Sequence, residues 1–213
     1  MQTKKPVREL YLASQSPIRK QLLTEAQIPF SVIPQSADEE KHGISANVDK
    51  RVTEIAQAKM AHAEIPSGKT VGETCWVLTA DSLVQSHAGT IFGKPNSYEH
   101  AVQMLRELRA GPCQVVTGFC CSRFVWDGSM WRVDAEYCQA VAAQVVIDIT
   151  DDWIATYLEK HPYALQTAGV LVVEGYGAQF VKTVHGSYTT VMGLPLYELR
   201  CALEKLSFFG LHR

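Results

Sequence analysis

The chain lacks the marks of several protein classes. No apolar run approaches the ~18 residues a membrane span needs, and the basic first eight residues lead into no stretch long enough for a signal peptide. Its six cysteines, at 75, 113, 120, 121, 138 and 201, include no C-x-x-C pair. That excludes the framework of a small secreted scaffold and sets the expectation of reduced thiols in a soluble cytoplasmic protein. Charge of either sign is not in excess: 20 Lys plus Arg stand against 22 Asp plus Glu, a net charge of -2. A duplex-binding footprint or an attachment to anionic lipid is therefore excluded, and any phosphate binding must be local. Phosphate loops of the G-x-x-x-x-G-K-[ST] type, G-x-G-x-x-G after a strand, the G-x-S-x-G elbow and H-E-x-x-H are all missing. None of the seven histidines falls at ligand spacing, and adjacent Cys120 and Cys121 read as strand neighbours facing opposite sides, so zinc is disfavoured. Repeats and low-complexity tracts are likewise missing.

What is present is a compact α/β pattern. The length suits one large domain or two lobes sharing a core, and 46% apolar with 20% charged residues is ordinary globular composition. Residues 10–13 read as a buried strand, followed by a helix with Ser16 as N-cap and Pro17 at its first position. Residues 30–33 alternate as a strand, an acidic loop holds Asp38, Glu39 and Glu40, and a helix spans about 45–63. A strand over 75–80 ends at Asp81; a helix opens at Ser97; strands follow over 115–119 and about 137–149; and Thr150 caps another helix. The last fifty residues are glycine-rich, with short strands punctuated by Gly169, Gly175, Gly177, Gly186 and Gly193, before a final helix from Pro195. Strands alternating with helices predict a mixed central sheet.

Several residues sit badly in a bland fold. Arg19 and Lys20 occupy a first helical turn, where the dipole is already positive, unless an anion lies there. Ser14, Ser16, Arg19 and free backbone N–H groups would make such an anion cradle; a solvated surface helix is the competing reading. Lys59 falls inside the apolar stripe of Val52, Ile55, Ala56 and Met60, so it either snorkels or aims an amine into a cleft. Asp81 closes an apolar strand, and carboxyl ends of strands open onto ligand crevices, although a turn-forming aspartate reads the same way. Lys94 lies in the tight turn Phe92-Gly93-Lys94-Pro95, a pattern shared with ordinary surface loops.

Taken together, these segments resemble a known family. Residues 12–23 (LASQSPIRKQLL), Ala80-Asp81-Ser82, Gly93-Lys94-Pro95, Ala168-Gly169, Glu174-Gly175-Tyr176-Gly177, and Gly186-Ser187-Tyr188 followed by Gly193-Leu194-Pro195-Leu196 are similar to the Maf family of nucleoside triphosphate pyrophosphatases. The order is preserved from about residue 10 to 206. The resemblance implies one Maf-like domain over residues 8–207, with an elongated mixed sheet flanked by helices and two lobes around a cleft, as in the inosine triphosphatase type. It further implies a homodimer, hydrolysis between the α and β phosphates of a nucleoside triphosphate, and a Mg²⁺ or Mn²⁺ requirement. Asp81 is then the expected proton acceptor, with Ser14, Ser16, Arg19, Lys59 and Lys94 on the triphosphate and Glu39 with Asp81 on the metal. Asp38 and Glu40 remain alternatives to Glu39.

Three positions tune the base in this family, and here they read Ile18, Ser82 and Glu174. Members acting on dTTP and UTP typically carry arginine and glutamine where Ile18 and Glu174 stand. An ionised glutamate only accepts hydrogen bonds, which suits guanine and suits cationic 7-methylguanine further. Purine-type members place an aromatic residue at the Ile18 position, so this chain departs from both patterns. Two other readings stay open: a nucleotide-binding regulator of cell division with little catalysis, and an RNA-associated module, the latter disfavoured by the near-neutral charge.

Overall fold

The computed structural model describes residues 8–39, 41, 42 and 44–210. Seven strands form one mixed sheet of order β2-β1-β3-β5-β6-β7, with β4 (Ile91–Phe92) attached to the far end of β3. Strand β1 (Leu10–Leu12) runs parallel to β2 (Phe30–Val32) and to β3 (Thr74–Gln85), and the remaining pairings are antiparallel. The expected α/β class with a mixed sheet flanked by helices is what forms.

The helices begin where their caps dictate. In α1 (Pro17–Glu25) the Ser16 side chain accepts from the Arg19 N–H, and proline occupies the first position, where its missing N–H costs nothing. Helix α2 (Val48–Ala61) starts three residues later than its apolar stripe suggests. Asn47 supplies the cap to the Lys50 N–H, while Ser45 accepts from Asn47 in the preceding turn. Helix α2 covers one face of the sheet with Ala56 and Met60 against Val77, Cys120 and Phe124. On the other face lie α1 and α6 (Leu196–Lys205), packing Leu22, Leu23, Leu199 and Leu203 around Leu10, Leu78 and Phe119. A separate group of buried residues gathers α3 (Tyr98–Leu108) and α4 (Asp151–Lys160) around Val84, Val145 and Ile147.

Several expected boundaries are corrected. Strand β3 does not end at Asp81 but runs four residues further, and β5 (Cys113–Trp126) extends well past the expected 115–119; β6 (Trp131–Ile147), expected as a long strand over about 137–149, begins six residues earlier and ends two earlier, and the two form one hairpin. Their outer halves carry polar and charged residues that sequence periodicity discounts, yet the backbone ladder continues across the hairpin to Trp126 and Trp131, with one register shift between Arg123 and Phe124. The glycine-rich tail folds mostly as 3₁₀ turns over residues 162–180, with one strand, β7 (Val181–His185), and the short α5 (Tyr188–Val191). The expectation that all thiols are reduced also fails. Cys120 and Cys138, 18 residues apart, are directly opposed across β5 and β6 with Cα atoms 4.2 Å apart, and they form a disulfide. Cys120 and Cys121 do face opposite sides of the sheet, in separate core groups.

Gly118 decides how closely α2 approaches. It lies opposite Asp81 in the β3–β5 register, and a Cβ there would sit 2.7 Å from the Val52 carbonyl carbon of α2. Since α2 carries Lys59, this contact sets the depth at which that amine enters the sheet. Gly118→Ala is expected to push α2 outward and to cost about 1–3 kcal/mol of stability, read as a lowered urea midpoint.

Candidate functional site

The site begins where β1 stops. Its last residue, Leu12, pairs with Leu78, so the edge of β3 beyond that point has no β1 neighbour. Asp81, three residues further along, faces the gap. An interior strand position thus opens onto a crevice because the adjacent parallel strand is shorter, which is the physical content of the expected strand-end aspartate. The chain leaving β1 through Ser14 to Ser16 forms one wall, α2 brings Lys59, and the turns over residues 162–174 close the far side. The resulting cleft of about 430 Å³ is lined by Ser14, Ser16, Ile18, Arg19, Glu39, Lys59, Asp81, Ser82, Lys94 and Glu174. Every sequence-predicted site residue therefore borders one hollow. Of the alternatives to Glu39, Asp38 pairs with Lys41 at 2.9 Å, and Glu40 lies outside the described residues.

Lys59 is 5% exposed, and it is partnered rather than snorkelling. Its Nζ lies 2.8 Å from Asp81 Oδ1 and 3.0 Å from Glu39 Oε1, and it also donates to the Ala80 carbonyl at 3.4 Å. One ammonium therefore draws together a carboxylate from the sheet and one from the acidic loop. Asp81 Oδ2 has no protein partner among the described residues, so one oxygen stays available to the cleft.

Arg19 is the opposite case. The guanidinium is 9% exposed and has no carboxylate within ion-pair distance among the described residues. Its Nε donates to the Gly193 carbonyl at 2.8 Å, Nη1 to Ser14 Oγ at 3.2 Å and Nη2 to Ser82 Oγ at 3.3 Å. Three of its five N–H donors are thus held by neutral acceptors. Burial pulls its proton affinity below the ordinary value, and the more distant Asp81, Glu39 and Tyr163 act the other way. A buried cation whose nearest partners are all neutral is costly unless an anion completes its shell. Gly193 has φ +105°, a backbone that glycine tolerates and that presents its carbonyl to Arg19.

Ser14 Oγ accepts from both the Ser16 N–H, at 3.3 Å, and Arg19, leaving its own proton without an acceptor among the described residues. Ser16 is committed chiefly to capping α1. Lys94, exposed at the rim, makes no ion pair among the described residues. At the other end, Ile18 packs onto the α1–α6 core while still lining the cleft. Glu174 is half-buried, and burial raises its carboxyl above the ordinary value, with the Glu174 and Val173 backbone N–H groups and His161 acting against that rise. Sequence reasoning missed Tyr163, the one aromatic side chain lining the cleft among the described residues, and Thr117, which sits behind Ser82. Tyr163 lies in an irregular turn with no periodic signal, and Thr117 is one alternating position of a strand.

The cleft thus gathers three cations, two carboxylates joined by one of them, and a spare hydroxyl donor, the equipment for gripping a polyanion beside a hard-oxygen site. Known proteins resemble the chain over nearly its whole length. A family model described as Maf-like protein matches residues 9–206. A protein of Caldicellulosiruptor bescii named dTTP/UTP pyrophosphatase is 32% identical over 203 residues, covering 95% of this chain and 96% of its own. Proteins of the same name from Idiomarina loihiensis and Citrifermentans bemidjiense are each 34% identical, over 207 and 204 residues, with 94% of this chain covered and 96% and 97% of theirs. No described helix is long and apolar enough to cross a membrane.

Because the folded chain holds the Glu174 proton to higher pH than the unfolded chain does, stability falls as pH rises above the ordinary value of 4.5. Glu174→Gln cannot ionise. It is expected to match the wild type near pH 4.5 and to exceed it in urea midpoint at pH 7. A midpoint difference independent of pH would refute the burial effect.

Proposed function

The chain belongs to the Maf family, and from that premise we propose that it is a nucleoside triphosphate pyrophosphatase, cleaving the α–β phosphoanhydride to release nucleoside monophosphate and pyrophosphate. The observation that carries this reading is the convergence of Arg19, Lys59, Lys94, Asp81 and Glu39 on one cleft, of a size usual for small-ligand sites.

Each residue type suits a step. Arg19, preset by Ser14, Ser82 and the Gly193 carbonyl, has two N–H donors left for phosphate oxygens. Ser14 directs its free proton to the same tail, and Lys94 at the rim adds a mobile charge for the distal phosphates. Asp81, oriented by Lys59, presents Oδ2 to the attacking water and accepts its proton. Charge on the triphosphate, in the bound substrate and as the bond breaks alike, meets cations already in place, so no reorganisation is needed during cleavage.

A divalent ion fits the donor set. Asp81 and Glu39 share the Lys59 ammonium, so two hard carboxylates lie close together, and Mg²⁺ prefers one or two carboxylates completed by phosphate oxygens and water. No group of three or more His, Cys, Asp and Glu side chains suited to a metal occurs among the described residues. When bound, the ion supplies charge neutralisation and lowers the pKa of a coordinated water. Asp81 and Glu39 are the residues that would hold it.

The base reading rests on Glu174. A half-buried carboxylate is relieved by a partner that donates two adjacent N–H groups, or by a cation, which favours guanine and 7-methylguanine over the bases in the relatives' name. Ile18 supplies no hydrogen bond of its own. Tyr163 offers the cleft's aromatic surface among the described residues.

Purified protein with Mg²⁺ or Mn²⁺, given a panel containing 7-methyl-GTP, GTP, UTP and dTTP, is expected to release pyrophosphate and to prefer the guanine nucleotides. Orthophosphate as the primary product would sink the reading. Asp81→Asn is expected to lower kcat by roughly 10²–10⁴-fold with KM little changed. In the same panel Glu174→Gln is expected to move preference towards UTP and dTTP, and an unmoved preference removes Glu174 from base selection.

A further inference from the structure

Behind Arg19 runs a chain of hydroxyls whose proton order can be worked out. Arg19 Nη2 donates to Ser82 Oγ at 3.3 Å, Ser82 Oγ lies 2.8 Å from Thr117 Oγ1, and Thr117 Oγ1 donates to the Thr190 backbone carbonyl at 2.9 Å. A carbonyl only accepts, so the single Thr117 proton goes to Thr190. In the Ser82–Thr117 contact Ser82 must then be the donor, and its remaining lone pairs face the guanidinium. The order is fixed from end to end: Arg19 to Ser82, Ser82 to Thr117, Thr117 to the carbonyl.

The two serines that hold Arg19 therefore differ. Ser14 keeps a proton to give away, whereas Ser82 has spent its own and cannot donate to a ligand. Ser82 and Thr117 are directly opposed in the β3–β5 register, one position from the Asp81–Gly118 pair, so the chain is built into the same rungs as the acidic side chain. Thr117 and Thr190 are both fully buried, out of reach of competing water. The segment carrying Thr190 also contributes Gly193, whose carbonyl holds Arg19 Nε at 2.8 Å. One short stretch thus fixes the guanidinium twice, directly through Gly193 and indirectly through Thr117 and Ser82.

We propose that Thr117, which lines no part of the cleft, is a positioning residue for triphosphate binding: its hydroxyl takes the Ser82 proton, leaves Ser82 only an acceptor towards Arg19, and so aims the Arg19 guanidinium at the phosphates. The inference rests on the pyrophosphatase reading for its substrate but not for its geometry. Without the Thr117 hydroxyl the Thr190 carbonyl keeps only its local backbone donor, the Gly193 N–H at 3.0 Å, while Ser82 loses its acceptor and can rotate its proton towards Arg19, turning an acceptor into a repelling donor. The Arg19 contact exists in bound substrate and transition state alike, so its loss appears in KM rather than kcat.

The test compares Thr117→Val, which keeps the shape and removes the hydroxyl, with Thr117→Ser, which keeps the hydroxyl. Ser82→Ala and the Ser82→Ala/Thr117→Val double variant complete the cycle. Readouts are KM and kcat on the preferred triphosphate and, independently of catalysis, the calorimetric Kd for inorganic tripolyphosphate. Thr117→Val is expected to weaken both KM and Kd on the order of tenfold with kcat nearly unchanged, and Thr117→Ser to restore both. The double variant is expected to be no worse than Ser82→Ala alone, because both substitutions break one chain. Equal defects in Thr117→Val and Thr117→Ser, additive losses in the double variant, or unaltered tripolyphosphate binding in folded Thr117→Val would each overturn the proposal. Should Thr117→Val fail to fold, Thr117→Ser and Ser82→Ala still decide it: Ser82→Ala must carry the tenfold loss that Thr117→Ser does not. A wild type that binds tripolyphosphate yet hydrolyses no triphosphate defeats the pyrophosphatase reading and leaves the Kd comparison to judge Thr117. A wild type that does not bind tripolyphosphate defeats the positioning role.

Discussion

An ammonium buried between two carboxylates organises this molecule. Lys59 reaches from α2 to Asp81 in the sheet and to Glu39 in the acidic loop, at 2.8 and 3.0 Å. Breaking a buried pair by removing one partner costs roughly 3–5 kcal/mol, because the other charge is stranded. The helix, the central strand and an otherwise irregular loop are thereby tied to one point. Replacing such a cluster with apolar residues is often neutral or stabilising, so its presence is better explained by chemistry than by stability. Arg19 sharpens the contrast. Equally buried, it is held by neutral acceptors alone, with two of its five N–H donors left uncommitted among the described residues.

The architecture follows from where strands end. Because β1 is only three residues long, it exposes the edge of β3 next to Asp81, and the chain leaving β1 runs straight into the cap of α1. Gly118 lets α2 settle against β5 at the depth Lys59 requires, and Gly193 adopts a backbone that turns a carbonyl towards Arg19. The long β5–β6 hairpin extends the sheet beyond β3, and the hydroxyls of Ser82 in β3 and Thr117 in β5 carry order from the α5 segment to the cleft.

Two groups of side chains line the cleft and obey different physics. Arg19, Lys59, Lys94, Asp81 and Glu39 supply charge and hydrogen-bond donors, and contacts of that kind do not discriminate among nucleotides, because every triphosphate presents the same tail. Ile18, Tyr163 and Glu174 form the second group, in which Glu174 is a carboxyl that burial holds neutral to higher pH and that only accepts hydrogen bonds once ionised. Membership of the Maf family bears on the first group; the second is a property of this chain's own residues, at about a third identity to the relatives named dTTP/UTP pyrophosphatase.

Local chemistry alone made much of this legible. Ser16-Pro17 announces α1, the stripe around Lys59 marks a cation facing a core, and Arg19 in a first turn signals a missing anion, because each is a conflict between a residue and its immediate neighbours. The element boundaries fared worse: Asp81 lies inside β3, the hairpin continues through polar residues, and the glycine-rich tail folds into turns instead of strands. Glu39 could not be told from Asp38 by sequence, since only the path of the loop brings it to Lys59. The Cys120–Cys138 disulfide and the Ser82–Thr117–Thr190 chain depend on strand register and on where α5 docks against β5, which bring together residues 18, 35 and 73 positions apart. The residue types and their order determined that a cationic, acid-bearing cleft would exist. Which atoms meet in it was decided by strand length, pairing register and the close approach of backbones, because those are set by contacts distant in the chain.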